Sequence, residues 1–199
     1  MTLMAERPVM SDPKPREGFD EMLDVLDELK VPAGYKAEII NRNIILSPLS
    51  KGYYTRVMRS VCAQLEPHLP EGHIIERSPD LFVFPGVERA YGPDIHAAHA
   101  RTYETDSIRL DGEGLSLVGE LTSHSTRDVD LADKAQMYGR SGVPVYLLLD
   151  MQEERTTVFW LPSDRGYQAR LSRSFGEKME IPDPFGCILD TTGFTLKAT

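Results

Sequence analysis

The stretch VGELTSHSTRDVDLADKAQMYGRSGVPVYLLLD, residues 118–150, decides how the rest of the chain is read. It begins within LSLVGELTS, a run too brief for a helix and suited to a strand. It closes on VPVYLLLD, a nearly continuous apolar run of the kind expected where a strand is covered on both faces. Between them STRD is a helix entry, an apolar period of three and four runs to about Arg140, and Gly142 is the stop. Two charges break the pattern. Val118, Glu120 and Thr122 share one strand face, so Glu120 points where an apolar neighbour points. Leu131, Lys134, Ala135 and Tyr138 fall at i, i+3, i+4 and i+7, which puts Lys134 in the stripe facing the sheet. A buried carboxylate needs a cation, a metal or hydrogen bonds; otherwise Glu120 lies at an edge near water. The Lys134 ammonium either snorkels outward, pairs with Asp130 on its own helix, or meets an acid inside.

Upstream, FDEMLDVLDELK carries Phe19, Met22, Leu23, Leu26 and Leu29 at helical spacing with acids on the outer face. YKAEIINRNIILSP reads as two short strands around Asn41-Arg42-Asn43, because asparagine tolerates turn geometry. A second helix follows from Tyr54 through Leu65 until Pro67 and Pro70 stop it. HIIERS, DLFVF and DIHAA are further short strands. TTVFWLP and GYQARLS form an antiparallel hairpin, and the remainder is turn-rich. The order of elements gives an α/β or α+β sheet protein. The first 18 residues, with three prolines and no hydrophobic period, read as a flexible tail ahead of one domain over residues 19–199.

Composition narrows the class. Hydrophobic residues at 41% and charged residues at 27% are those of a globular chain. No apolar stretch approaches the roughly 20 residues that span a bilayer, and Glu6 and Arg7 interrupt any signal peptide, so the expected compartment is the cytoplasm. Cys62 and Cys187 have no metal-type spacing and fit a reducing compartment. A net charge of −9 argues against general electrostatic attraction to nucleic acid. Locally, Lys36, Arg42, Lys51, Arg56 and Arg59 outnumber Glu38 and Glu66, as a basic patch or as an ordinary solvated surface.

Two Pro-Asp pairs precede the Glu120 strand. Asp80 begins DLFVF as a plain strand after a turn, whereas Asp94 begins DIHAA just before the Glu120 strand and is preferred. Two carboxylates from neighbouring strands with one ammonium suit Mg²⁺, which takes hard oxygen ligands and keeps several waters. Such an ion activates water and neutralises charge on a phosphodiester.

YGPDIHAA and the 118–150 stretch resemble the Uma-type family of restriction endonucleases, within the PD-(D/E)XK nuclease superfamily. The matching positions are Pro93-Asp94, the strand end from Glu120 to Thr126, Asp130, Lys134, Tyr138, Gly142-Val143 and Asp150, with AEIINRNIILSP matching the family's N-terminal hairpin. The resemblance implies a restriction-endonuclease-like core with a central mixed β-sheet flanked by helices, here followed by the C-terminal antiparallel hairpin. It implies a Mg²⁺- or Mn²⁺-dependent endonuclease acting on DNA, and a homodimer. By the same resemblance Asp94 and Glu120 are metal ligands, the backbone carbonyl of Leu121 adds another, Glu38 completes the shell, and Lys134 orients or polarises the attacking water. The superfamily's lysine stands two residues after the glutamate, where this chain has Thr122, so the role passes to Lys134, whose long side chain can reach the same point from the helix. Tyr53 and Tyr54 stand where many relatives carry histidine, and His124 replaces a usual proline.

Other assignments compete. Asp94 is alternatively a turn cap, Asp130 a surface or orienting residue, Tyr138 core, and Asp150 a turn residue. His96 shares a strand face with Asp94, as a satisfied core histidine or a support for the site. His96, His99 and His124 are spaced against a single zinc site. The rival from a different class is a non-catalytic binding or scaffold protein that keeps the nuclease fold.

Overall fold

The computed structural model describes residues 18–77, 80–122 and 129–195, excluding the side chains of residues 129–131. The expected tail lies, apart from Gly18, outside the described residues, as does His124. Helix α1, Phe19–Glu28, is followed by strands β1, Tyr35–Ile40, and β2, Asn43–Pro48. Helix α2, Tyr54–Leu65, leads to β3, His73–Glu76, β4, Leu81–Phe84, β5, Arg89–Tyr91, and β6, Ile95–His99. Then come β7, Arg109–Asp111, and β8, Leu115–Thr122. Wide π-type turns over Val129–Lys134 run into α3, Ala135–Arg140. Strands β9, Val145–Asp150, β10, Arg155–Ser163, β11, Gly166–Ser174, β12, Lys178–Ile181, and β13, Cys187–Asp190, follow among the described residues.

The strands form two mixed sheets and one small ladder. The first sheet runs β2-β1-β5-β4-β7, the second β11-β10-β9-β8-β6-β3, and β12 pairs with β13 alone. Each large sheet contains one parallel pair, β4 with β7 and β8 with β9. The α/β, helix-flanked class expected from the sequence is therefore present, with two packed mixed sheets. The C-terminal hairpin β10–β11 extends the second sheet beyond β9, and the segment read as turn-rich contains the β12–β13 ladder.

Alternation along each strand sets the layers. In the first sheet Ile39 and Ala90 face α1 and pack with Phe19, Leu23 and Leu26. Ile40, Phe82, Phe84 and Tyr91 face the second sheet. In the second sheet Val118, Tyr146 and Leu148 meet the first sheet and α3, while Leu117, Val145, Leu147 and Leu149 face α2 and the β12–β13 ladder. All six residues of β9 are buried, as its apolar run requires of a strand covered on both sides.

Two backbone details fix the site's frame. Ile40 pairs with Asn43 across a two-residue turn, Asn41 at φ 50 and Arg42 at φ 58, the double positive φ of a type I′ hairpin. It fixes the register of β1, so Lys36 and Glu38 point inward with Ile40. On the other side, a Cβ at Gly139 would lie 2.6 Å from the Gly166 carbonyl carbon and the Tyr167 nitrogen. Only glycine lets α3 approach the β10–β11 turn this closely.

Candidate active site

Continuing the β6–β8 register from Ile95 opposite Gly119 sets Asp94 opposite Glu120, and opposed residues of an antiparallel pair share a face. Asp94 is half-buried. Its Oδ2 accepts from the Leu121 backbone N–H at 2.8 Å, and its Oδ1 accepts from Ser50 Oγ at 2.6 Å. Because N–H and C=O of one strand residue leave the same edge, the Leu121 carbonyl is directed to the Asp94 side.

Glu120 and Lys134 answer each other. Lys134 Nζ donates to Glu120 Oε1 at 2.9 Å and to Glu38 Oε1 at 3.0 Å, with all three side chains no more than 3% exposed. The lysine therefore turns inward, and its contact is with acids of two sheets. Pairing with Asp130 is not assigned, since that side chain lies outside the described residues. Tyr138 donates to the same Glu120 oxygen at 3.1 Å while packing on Phe84, Tyr91 and Tyr146, so it is both core and hydrogen-bond donor. Burial pushes the Tyr138 hydroxyl well above its ordinary pKa, which keeps it a donor.

Glu38 is fully built into the cluster. Its Oε1 also accepts from the Gly92 N–H at 3.0 Å. Burial pushes the Glu38 carboxyl up, but the Lys134 and Lys36 ammoniums and the Gly92 N–H outweigh it and hold the pKa below its ordinary value. Lys36 was not singled out as a site residue from the sequence, although it shares the inward face of β1 with Glu38 at i and i+2. Its Nζ donates to the Gly92 carbonyl and lies 3.8 Å from Glu38 Oε1. Burial pulls the Lys36 ammonium down, and Glu38 and Glu120 more than reverse this, leaving its pKa raised.

Surrounding groups hold these in place. Tyr91, whose ring lies 5.5 Å from Lys134 Nζ, donates to Asp133 at 3.0 Å, and Asp133 pairs with Arg89 at 3.5 Å. Thr122, at the position of the superfamily's usual lysine, is fully buried and donates to Asp150 at 3.3 Å. Asp150 also accepts from the Gln152 and Glu153 N–H groups, the turn role expected of it. Tyr54 donates to the Thr122 carbonyl at 3.2 Å, tying α2 to the strand end. His96 bonds Tyr103 at 2.8 Å, lies 3.5 Å from Asp80 and packs on Phe82, a satisfied core histidine. Of the two Pro-Asp acids, Asp80 thus meets His96, and Asp94 meets the backbone beside Glu120.

The donor set of Asp94, Glu120, Glu38 and the Leu121 carbonyl is all oxygen, the chemistry that a hard divalent cation takes. Among the described residues no three acidic, histidine or cysteine side chains are grouped to hold a metal ion together. The fit is therefore to a cation held by one or two carboxylates and completed by water and substrate, the usual habit of Mg²⁺. Asp94 opens onto a cleft of about 150 Å³ lined also by Lys36, Ser50, Met58, Arg77 and Gly92.

Two mixed sheets with α1 and α2 on their outer faces, α3 against the inner face of the second, and a buried acid–lysine cluster at their seam make a restriction-endonuclease-like fold. The chain belongs to the Uma2 family, described as "Putative restriction endonuclease", whose profile matches residues 19–192. A solved structure from Anabaena variabilis, described as a "putative nuclease", is similar with a TM-score of 0.63 at 15% identity, over 84% of this chain and 90% of that one. No curated protein matches the sequence. Among the described residues no helix is long and apolar enough to cross a membrane.

Proposed function

We propose that the protein is a metal-dependent endonuclease that hydrolyses DNA phosphodiester bonds at the seam between its two sheets. Family membership supports a nuclease. The observation that carries the residue assignment is the placement of Lys134 Nζ against Glu120 at 2.9 Å, one peptide bond from the Leu121 N–H that holds Asp94. Asp94, Glu120 and the Leu121 carbonyl would hold Mg²⁺ or Mn²⁺, and Glu38, which the resemblance puts in the metal shell, would instead anchor Lys134. When bound, the cation supplies water activation and neutralises charge on the phosphoryl oxygens.

The protein's own groups do the positioning. Ser50 and the Leu121 N–H fix both oxygens of Asp94, so its carboxylate is oriented before substrate arrives. Tyr138 and Lys134 fix Glu120 Oε1 in the same way. Lys134 orients the attacking water and stabilises charge that develops on the phosphoryl group, held in place by Glu38 from the opposite sheet. Burial of Glu38, Glu120 and Lys134, none more than 3% exposed, keeps bulk water from the charged groups and strengthens each of these interactions.

The test is incubation of supercoiled and single-stranded DNA with Mg²⁺ and with Mn²⁺. The wild type is expected to nick or linearise DNA, and Asp94→Ala, Glu120→Ala and Lys134→Ala to lose at least about 100-fold in rate. Absence of cleavage of either substrate with either metal would replace this reading with a non-catalytic scaffold of nuclease fold.

A further inference from the structure

Two ammoniums stand in the cluster, and they differ in access. The Lys134 side chain is 2% exposed and enclosed by acids, whereas the Lys36 side chain is 14% exposed and forms part of the cleft wall beside Asp94. Arg77, exposed at the end of β3, lines the same cleft. Among the described residues Arg77 makes no hydrogen bond or ion pair, so its five N–H donors face solvent at the cleft mouth. Lys36 is anchored by the Gly92 carbonyl and Glu38, which fixes where its charge sits.

The cleft's size limits what fits. At about 150 Å³ the cleft has room for several waters. That accommodates a tetrahedral oxyanion of five heavy atoms. A whole nucleotide requires a pocket of drug-like size, upward of about 300 Å³. The charge balance is also suited to an anion. Among the charged side chains that line the cleft, Lys36 and Arg77 outnumber Asp94, so a chain of net charge −9 presents a net positive count at this one place.

We infer that Lys36 and Arg77 form a phosphate subsite: they grip one phosphodiester group of DNA in the cleft and position it against Asp94. The inference rests on the proposed nuclease function and names two contacts that function does not require. Lys36 donates from the inner wall and Arg77 from the mouth, to non-bridging oxygens of the same group. Neither is a proton donor in the reaction; both are binding residues.

The test measures binding without turnover. Fluorescence anisotropy of a labelled duplex oligonucleotide is followed in EDTA across a range of salt for wild type, Lys36→Met, Lys36→Arg and Arg77→Met. Each methionine variant is expected to bind about tenfold more weakly. Each should also flatten the slope of log affinity against log salt by about 0.9, the value of one lost phosphate contact. Lys36→Arg should keep the wild-type slope. Arg77 is exposed, so Arg77→Met keeps the fold even if Lys36→Met weakens it. Wild-type affinity and slope in Arg77→Met and in folded Lys36→Met overturn the subsite while leaving the nuclease reading intact if wild-type cleavage is seen. A wild type that neither binds the duplex nor cleaves DNA overturns both.

Discussion

Lys134→Met is the sharpest perturbation of the seam. The substitution keeps the length of the side chain and removes the charge that lies 2.9 Å from Glu120 and 3.0 Å from Glu38. The two glutamates are 2% and 1% exposed, so neither can rotate into water. Removing one partner of a buried ion pair costs about 3–5 kcal/mol, because the charge left behind loses its compensation. Lys36, Tyr138 and the Gly92 N–H remain as partial compensation, which favours the lower half of that range. For a chain of this size, each kcal/mol moves the melting temperature by about 2–4 °C, so a cost of about 3–4 kcal/mol gives an expected fall of about 6–16 °C. Urea and thermal unfolding at neutral pH read it directly. Glu38→Gln combined with Glu120→Gln and Lys134→Met should recover most of the loss, since amides carry no charge to strand. A second measurement bears on the metal. With the ammonium gone, millimolar Mg²⁺ should raise the melting temperature of Lys134→Met, by the equivalent of about 2.7 kcal/mol at a hundred times its Kd, and should do so no longer once Glu120 is also replaced by Gln. A Lys134→Met protein as stable as wild type, with no gain from the triple change, would refute the account of the seam.

Acid titration tests Glu38. Its folded pKa lies below the ordinary 4.5, so the stabilisation is complete above that value and is lost as pH falls through the folded pKa. Urea midpoints followed from about pH 7 to about pH 3 should fall more steeply for wild type than for Glu38→Gln; parallel curves would count against the contribution. Gly139→Ala should destabilise by about 1–3 kcal/mol, the cost of overpacking, although alanine ordinarily favours a helix, because its Cβ meets backbone atoms 2.6 Å away. A more stable Gly139→Ala protein would show that α3 can back away from the β10–β11 turn at no cost. Burial pushes the Cys62 thiol up to about 11, so iodoacetamide at about pH 8 should alkylate it about two orders of magnitude more slowly than a free cysteine, as read by mass spectrometry.

Much of the fold was legible because hydrophobic period and length agree in its larger elements. Helices α1 and α2 and strands β6, β8 and β9 carry unambiguous patterns, and positive φ at Asn41 and Arg42 matches the hairpin signal. Strands β5, β7 and β12 escaped because, unlike the similarly short β3 and β4, they carry no run of successive large apolar residues, and β13 because it lies within the stretch read as turn-rich; long-range pairing defines them. The division into two sheets escaped for the same reason, since it depends on which strands pair. At the site, Glu120 and Lys134 could be found as charges in apolar stripes. Lys36 reads from the sequence as one member of a basic patch or solvated surface with Arg42, Lys51, Arg56 and Arg59, not as a partner of the acids. The i, i+2 spacing of Lys36 and Glu38 was the available signal. The partner of Lys134 could be named as an acid, but its place on the opposite sheet is a tertiary fact.

Lys36 and Glu38 come from the first sheet, Glu120 from the second, and Lys134 from the helical turns beside it, and among the described residues the two sheets share no ladder hydrogen bonds. The cluster is consequently a latch between slabs, and its geometry reports how they are seated. A variant that slid one slab by an ångström would retain its far-ultraviolet dichroism yet uncouple the latch. Secondary-structure content alone is thus an unsafe control for any substitution at this seam.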